Sequence, residues 1–374
     1  MSLQRFLATM LIPFLVAAVP TRAADTQPAE DRAVANLAAF ARIYGYVRFF
    51  HPSDQAAAVD WDKVGILGAE AVRDAADQDE LRAALLRLFR PIAPQLRLTD
   101  AVPPGSATDS TTPLATGPVT SWQYYGINLS PKSGPYQNER VAVALPLFTK
   151  PIAAGLVLQL PLSLPVGPQG KTADESSAEF EMLQSALSAL ALKSISPSDW
   201  RLRVAGVVTV WNVFQHFHPY LSEIGAKWDE TLEPALVRAL HDQNATEYGA
   251  TLSALVAQSQ DGHGYVYGQP EGAGGIPIRV AAIEDHLVVT GVAAGAPFQK
   301  ADIIESIEGV PAFDLLRDRE RYVSGSPHLR RFRALNQFGA GAVGSVARIA
   351  ILRDGAPMTV EFTRTPECRG YFFN

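Results

Sequence analysis

Cysteine is all but missing from this chain: Cys368 is the one thiol among 374 residues. No intrachain disulfide can form, so packing rather than cross-linking must hold the fold together. Positive charge is also in short supply, with 32 lysines and arginines against 38 acidic residues and a formal net charge of −6. Nucleic-acid partners call for a basic face, so that class is excluded. The apolar run from Phe6 to Val19 falls short of the roughly 20 residues that a helix needs to span a bilayer. No Gly-x-Ser-x-Gly stretch occurs, which removes the elbow that exposes a hydrolase serine.

What stands at the start is a secretory leader. One arginine, the apolar run, and then Thr21 and Ala23 at the small-residue positions predict a signal peptide over residues 1–23, cleaved after Ala23. No cysteine follows the run, which closes the lipoprotein route. A soluble periplasmic or secreted protein is expected, with no membrane attachment after cleavage. Hydrophobic residues make up 47% and charged residues 19%, a globular balance that supplies cores for two or three domains.

Residues 43–52 read IYGYVRFFHP, and residues 210–219 read VWNVFQHFHP. At an offset of 167, Phe50, His51 and Pro52 match Phe217, His218 and Pro219. Trp61-Asp62 then match Trp228-Asp229, and Leu85 and Leu88 answer Leu252 and Leu255. Such spacing predicts two copies of one helical unit. In each, the proline disfavours α geometry before it and stops a helix. His216 and His218 raise a zinc site. However, His216 aligns with Phe49 and no third ligand stands at a recognisable spacing, so no metal or other cofactor is expected. Trp61 and Trp228 read as core anchors, His51 and His241 as packing or surface residues.

The expected class is α+β in several modules. A helical unit occupies 24–90, with one helix over 32–50 and a helical stretch over 61–90. A β-rich segment with a Pro/Ser/Thr loop follows over 91–170. Its strand candidates are VTSWQYYGINL, RVAVALPLF and AAGLVLQLPLSLPV. The second helical unit fills 171–266 and opens at Ser196-Pro197-Ser198-Asp199, which supplies a cap, a proline at the first position and an early acid. Residues 267–366 return to strands and close in a hairpin at Asp354-Gly355. The tail, 367–374, has no assignment.

Chemistry concentrates in SQDGHGYV, residues 259–266, which has no counterpart in the first unit. His263 stands between two glycines, so backbone can approach closely and the ring stays accessible. A side chain that titrates near neutrality suits general-base work. The competing reading is a turn residue held by Asp261. Elsewhere, Ser176 reads as the cap of a helix from Ala178, with Glu179 closing a capping box, rather than Ser176 or Ser177 as nucleophile. Ser324, Ser326 and His328 fall in what reads as an exposed loop, and Arg330, Arg331 and Arg333 as a solvated face.

The second unit, with Trp-Asn-x-Phe-x-His-Phe and Asp-Gly-His-Gly, resembles the helical head of the tail-specific (C-terminal-processing) serine peptidases, in their tricorn-like branch. HLVVTGVAAGAPFQKADIIESIEGVPA resembles the PDZ domain that follows in that family, with Ala301-Asp302 where the family has Gly-Asp. The resemblance implies His263 as the base to a serine nucleophile, and a polypeptide substrate or carboxy-terminal peptide as partner. It implies peptide binding near IPIRVAAI. The family's serine belongs to an α/β core after the PDZ domain. The chain stops at Asn374, so as it stands it is expected not to cleave peptides. The alternative is a non-enzymatic peptide-binding or partner-docking protein.

Overall fold

The computed structural model describes residues 29–101, 117–127, 136–172, 177–225, 227–266 and 273–369. The expected signal peptide, most of the Pro/Ser/Thr loop, Ser176 and the last tail residues lie outside them. The fold is α+β, with antiparallel sheets throughout. None of the described helices is long and apolar enough to cross a membrane.

Four helices come first: α1 (Ala29–Phe50), α2 (Asp54–Ala58), α3 (Trp61–Arg73) and α4 (Gln78–Phe89). The predicted stretch 61–90 is thus two helices. Asp77 breaks it, because its carboxylate caps α4 by accepting from the Glu80 N–H. Helix α1 is apolar on nearly every side, and Leu37, Phe40, Ile43, Tyr44 and Val47 are all fully buried. A helix of that kind belongs inside a core rather than on its surface. Truncating one of these side chains to alanine costs about 2–5 kcal/mol.

The β-rich segment forms two small sheets. In one, β1 (Arg97–Thr99), β5 (Leu156–Pro161) and β4 (Leu147–Ala153) run in the order β1-β5-β4. Its Ile152, Leu156, Leu158 and Leu160 enter the helical core. In the other, β2 (Val119–Ile127) lies between β3 (Tyr136–Val141) and β6 (Ser163–Pro165). The run RVAVALPLF, expected as one strand, is divided: β3 ends at Val141 and β4 begins at Leu147.

Helices α5 (Ala178–Ala189), α6 (Trp200–Phe217), α7 (Leu232–His241) and α8 (Ala245–Ala257) complete the first core. The cap of α5 is Ser177, whose hydroxyl accepts from the Phe180 N–H, so Glu179 does not close the expected box. The cap of α6 is Asp199, not the Ser196-Pro197 pair, because its carboxylate reaches the Arg201 N–H. One apolar cluster joins α1, α3, α4, the β1-β5-β4 sheet and α5 through α8.

Positions related by the offset of 167 make corresponding bonds inside that cluster. The Tyr44 hydroxyl donates to the Trp61 carbonyl at 3.0 Å, and Trp211 Nε1 donates to the Trp228 carbonyl at 3.2 Å. Asn36 Nδ2 holds the carbonyls of Arg73 and Ala75, and Arg203 holds those of Ala239 and Leu240. Gly45 and Asn212, equivalent at this offset, meet each other. A Cβ at Gly45 would stand 1.8 Å from Asn212 Oδ1, so only glycine fits there.

A second core gathers β8 (Ile278–Ile283), β9 (His286–Val292), β10 (Ile303–Ile307), β13 (Val346–Arg353) and β14 (Ala356–Thr363) under helices α9 (Ala312–Glu320) and α10 (Pro327–Asn336). The sheet order is β14-β13-β10-β9-β8, with the short β11 (Val310–Pro311) paired to β10. Two further short strands, β7 (Ala273–Gly274) and β12 (Gly341–Ala342), pair with each other. Strand β8 is an edge, and α10 packs beside it. The Asp354-Gly355 turn closes the β13–β14 hairpin with both residues at positive φ. Ala301 sits at φ +71, a conformation that costs a non-glycine residue roughly 1–2 kcal/mol. Its turn forms nonetheless: Asp302 Oδ2 accepts from the Gln299 N–H at 2.8 Å and pairs with Arg353 at 2.7 Å.

Candidate functional site

The chain leaves α8 through a tight turn in which the Gly264 N–H bonds back to the Asp261 carbonyl at 2.9 Å. A Cβ at Gly264 would press to 3.2 Å from that same carbonyl oxygen and 2.9 Å from Val256 Cγ1. Glycine is needed for the close approach. Asp261 Oδ1 accepts from the His263 backbone N–H at 2.9 Å and lies 3.1 Å from His263 Nδ1. A carboxylate at that nitrogen places the proton on Nδ1 and leaves the Nε2 lone pair free.

The imidazole of His263 is 98% exposed. Among the described residues its Nε2 has no hydrogen-bond partner, and no serine hydroxyl meets it. Asp261 has a second histidine on its other side. His218 Nε2 lies 3.5 Å from Asp261 Oδ2, and its Nδ1 accepts from the Tyr220 N–H at 3.3 Å. The acceptor role of Nδ1 puts the His218 proton on Nε2, facing the carboxylate. His218, Asp261 and His263 thus form a chain of three. The His263 backbone N–H, with its ring bond and the two nearby histidines, holds the Asp261 carboxyl below the usual range against the opposing effect of burial.

The sheet unit presses on this turn. Arg333 Nη2 donates to the Gly262 carbonyl at 2.9 Å, and the Ser259 and Ser324 hydroxyls meet at 3.2 Å in a buried contact. The arginines expected on a solvated face are therefore engaged. Arg330 bonds the Glu320 carbonyl, Arg331 pairs with the Glu320 carboxylate and Arg333 holds the turn. The expected exposed loop holds in part. Ser326 and His328 are exposed, Ser326 capping α10 through the Leu329 N–H and His328 lying in the first turn of that helix, whereas Ser324 is buried. A pocket of about 620 Å³ lies beside the turn, with Tyr265, Tyr322, Leu329 and Phe332 in its wall.

His216 and His218 part company. His216 is caged by the rings of Tyr46, Phe49 and Phe50, with centroids 5.0–5.9 Å away. Burial, and then the charge of Lys150, drop its pKa to about 4. Its partner in the motif turns to Asp261 instead. Among the described residues no group of three or more His, Cys, Asp or Glu is placed to hold a metal ion. His51 is fully buried with Nδ1 3.0 Å from Ser53 Oγ, and burial lowers its pKa to about 3. His241 pairs at the surface with Glu30 at 2.7 Å. The Asp261–His218 contact has no signal in the sequence, where Asp261 reads only as a partner of His263.

No protein-family model matches the chain, and no curated protein matches it. Among solved structures it is similar to mature CPAF. Mature CPAF in complex with lactacystin is 12% identical with a TM-score of 0.39, over 43% of this chain and 34% of that one. Mature CPAF alone is 13% identical with a TM-score of 0.38, over the same shares. The chain spans about a third of the length of those structures. A likeness at that score and identity does not decide an activity.

Proposed function

We propose that the chain carries the histidine side of a serine-peptidase site, in a tail-specific, tricorn-like protein acting on exported polypeptides in the periplasm or outside the cell. The observation behind this reading is His263: exposed, held at Nδ1 by Asp261, with Nε2 free toward solvent. A serine hydroxyl becomes a nucleophile when an oriented imidazole takes its proton, and a carboxylate at the other nitrogen sets the tautomer. Asp261 would play the orienting part, with His218 steadying it from behind. The serine comes from outside the described residues in this reading.

The test uses protein purified from its own cells, assayed for cleavage of an unfolded polypeptide and for labelling by a serine-reactive phosphonate. His263→Ala is expected to lower both by about 10²–10⁴-fold, the range for loss of a general base. Cleavage that survives the substitution undiminished would sink the proposal.

A second reading rests on β8. An edge strand beside a helix is the arrangement by which PDZ domains add an extended peptide to a sheet, and β8 with α10 offers it. Peptide binding without cleavage is then expected. Fluorescence anisotropy with carboxy-terminal peptides would detect it, and a flat titration would dismiss it.

A further inference from the structure

Two arginines of the sheet unit line a pocket that neither reading above uses. Arg364, just past β14, is buried and anchored on three sides. Its Nε donates to the Gly339 carbonyl, Nη1 to Ser345 Oγ and Nη2 to Glu308 Oε1, each at 2.9 Å. Gly341 makes room for it: a Cβ there would lie 2.6 Å from Arg364 Nε. Arg319, near the end of α9, lines the same pocket of about 430 Å³. Among the described residues its single hydrogen bond runs from Nη2 to the Ala340 carbonyl at 2.8 Å.

The charges in this pocket do not balance. Two guanidinium groups line it with one carboxylate, Glu308, which reaches Arg364 from a half-exposed side chain, while Asp318 beside Arg319 opposes their charge only from the surface, where it pairs with Arg321. Burial, followed by the charge of Arg364, pulls the Arg319 pKa down, as expected of a cation set among apolar atoms beside another cation. A guanidinium carries five N–H donors in a fork matched to carboxylate geometry. Most of those on Arg319 are unused. The wall also carries Ser345 and the Gly339–Ala342 backbone, and its apolar part is Ile307, Leu315 and Phe338 inside with Val310 and Val346 exposed at the rim.

We propose that this pocket binds the carboxylate of an apolar acid, with Arg319 pairing to the carboxylate and the Ile307–Phe338 wall taking the acid's side chain. Glu308 is the internal rival for the same pair of cations. Free small acids and the carboxy terminus of a polypeptide share this chemistry.

Isothermal titration of the full chain with N-acetyl-L-leucine, N-acetyl-L-leucinamide, and a leucine-ending peptide with free or amidated carboxyl separates them. The acid is expected to bind saturably and at least about tenfold more tightly than its amide, matching the about 1.4 kcal/mol of a charge-assisted bond. Arg319→Met should cost about the same factor, Arg319→Lys should keep part of the affinity, and Glu308→Gln should raise it by removing the rival. Tighter binding of the peptide acid than of N-acetyl-leucine, lost in Arg319→Met, makes a polypeptide terminus the natural source. Equal binding of acid and amide, or no saturable binding, overturns the proposal without relying on any variant to fold. Peptide binding that persists in Arg319→Met belongs to the β8 edge, and this too overturns it.

Discussion

The same three residues end a helix twice in this molecule, and the two ends have different fates. Phe50-His51-Pro52 is sealed. Trp122 Nε1 donates to the His51 carbonyl, Ser53 satisfies the ring at Nδ1, and the imidazole has no exposure. Phe217-His218-Pro219 is left partly open, and its ring looks at Asp261 across 3.5 Å. The sequence motif sets the helix stop in both. What covers the motif decides whether its histidine is a packing piece or part of a site. In the first unit the cover is β2; in the second, the place beside the histidine is taken by the Asp261 turn.

The sharpest way to break the comparison is at the point where α1 and α6, the helices that carry these ends, touch. Gly45→Val should destabilise the fold by about 3 kcal/mol, because the added carbons meet the buried Asn212 amide and His216 Nε2 at well under contact distance. Asn212→Gly in the same chain should recover much of that loss, and urea unfolding of the pair measures it. No recovery would mean that the strain lies elsewhere.

Next in size is a pH dependence that belongs to the sealed end. In the folded chain His51 stays neutral down to about pH 3, whereas in the unfolded chain it takes a proton near its ordinary value of 6.5. The unfolded state binds more protons between those limits. Stability is therefore full above about pH 6.5 and is lost as pH falls, by up to about 1.4 kcal/mol per pH unit. His216, lowered to about 4 by burial, adds a similar slope over its own window. His51→Gln should lower stability at pH 7 and flatten the decline between pH 6.5 and 5. Parallel profiles for variant and parent would refute the assignment.

At the open end the effect on stability is smaller. Asp261→Ala should change it by no more than about 1 kcal/mol, since the carboxylate and the His263 ring it holds are both open to water. Nitrogen NMR should nonetheless show the His263 ring losing its preference for a proton on Nδ1. A ring that keeps its tautomer would mean Asp261 does not orient it. The smallest change expected is at the surface link between the units: His241→Ala should cost under about 0.5 kcal/mol in thermal unfolding.

The α+β class, the two helix stops before proline and the burial of Trp228 are legible in local pattern. So is an accessible histidine on a glycine turn. Some departures from expectation do have a local signal. Asp77 three residues before Glu80, and Ser326 ahead of Pro327, are capping patterns that mark the starts of α4 and α10. Others have none. That Arg333 reaches the Gly262 carbonyl, or that His218 meets Asp261, depends on how α10 and α6 dock around the end of α8, which no short-range spacing encodes. The arginine count near residue 330 marks the solvated face on which Arg331 lies, but not the carbonyls that Arg330 and Arg333 find there, because composition records charge and not acceptors.

The single cluster shared by α1 and α6 also sets an order of events during synthesis. Helix α1 is complete at Phe50 and finds α3 by Arg73, yet α6, which covers another of its faces, ends only at Phe217. At about 5–20 residues per second, the ribosome delivers that partner roughly 8–33 s later. Through that interval the face of α1 that α6 covers has no partner. A nascent chain held open for so long stays available to whatever carries unfolded polypeptides, and its native shape can be postponed until the second half arrives.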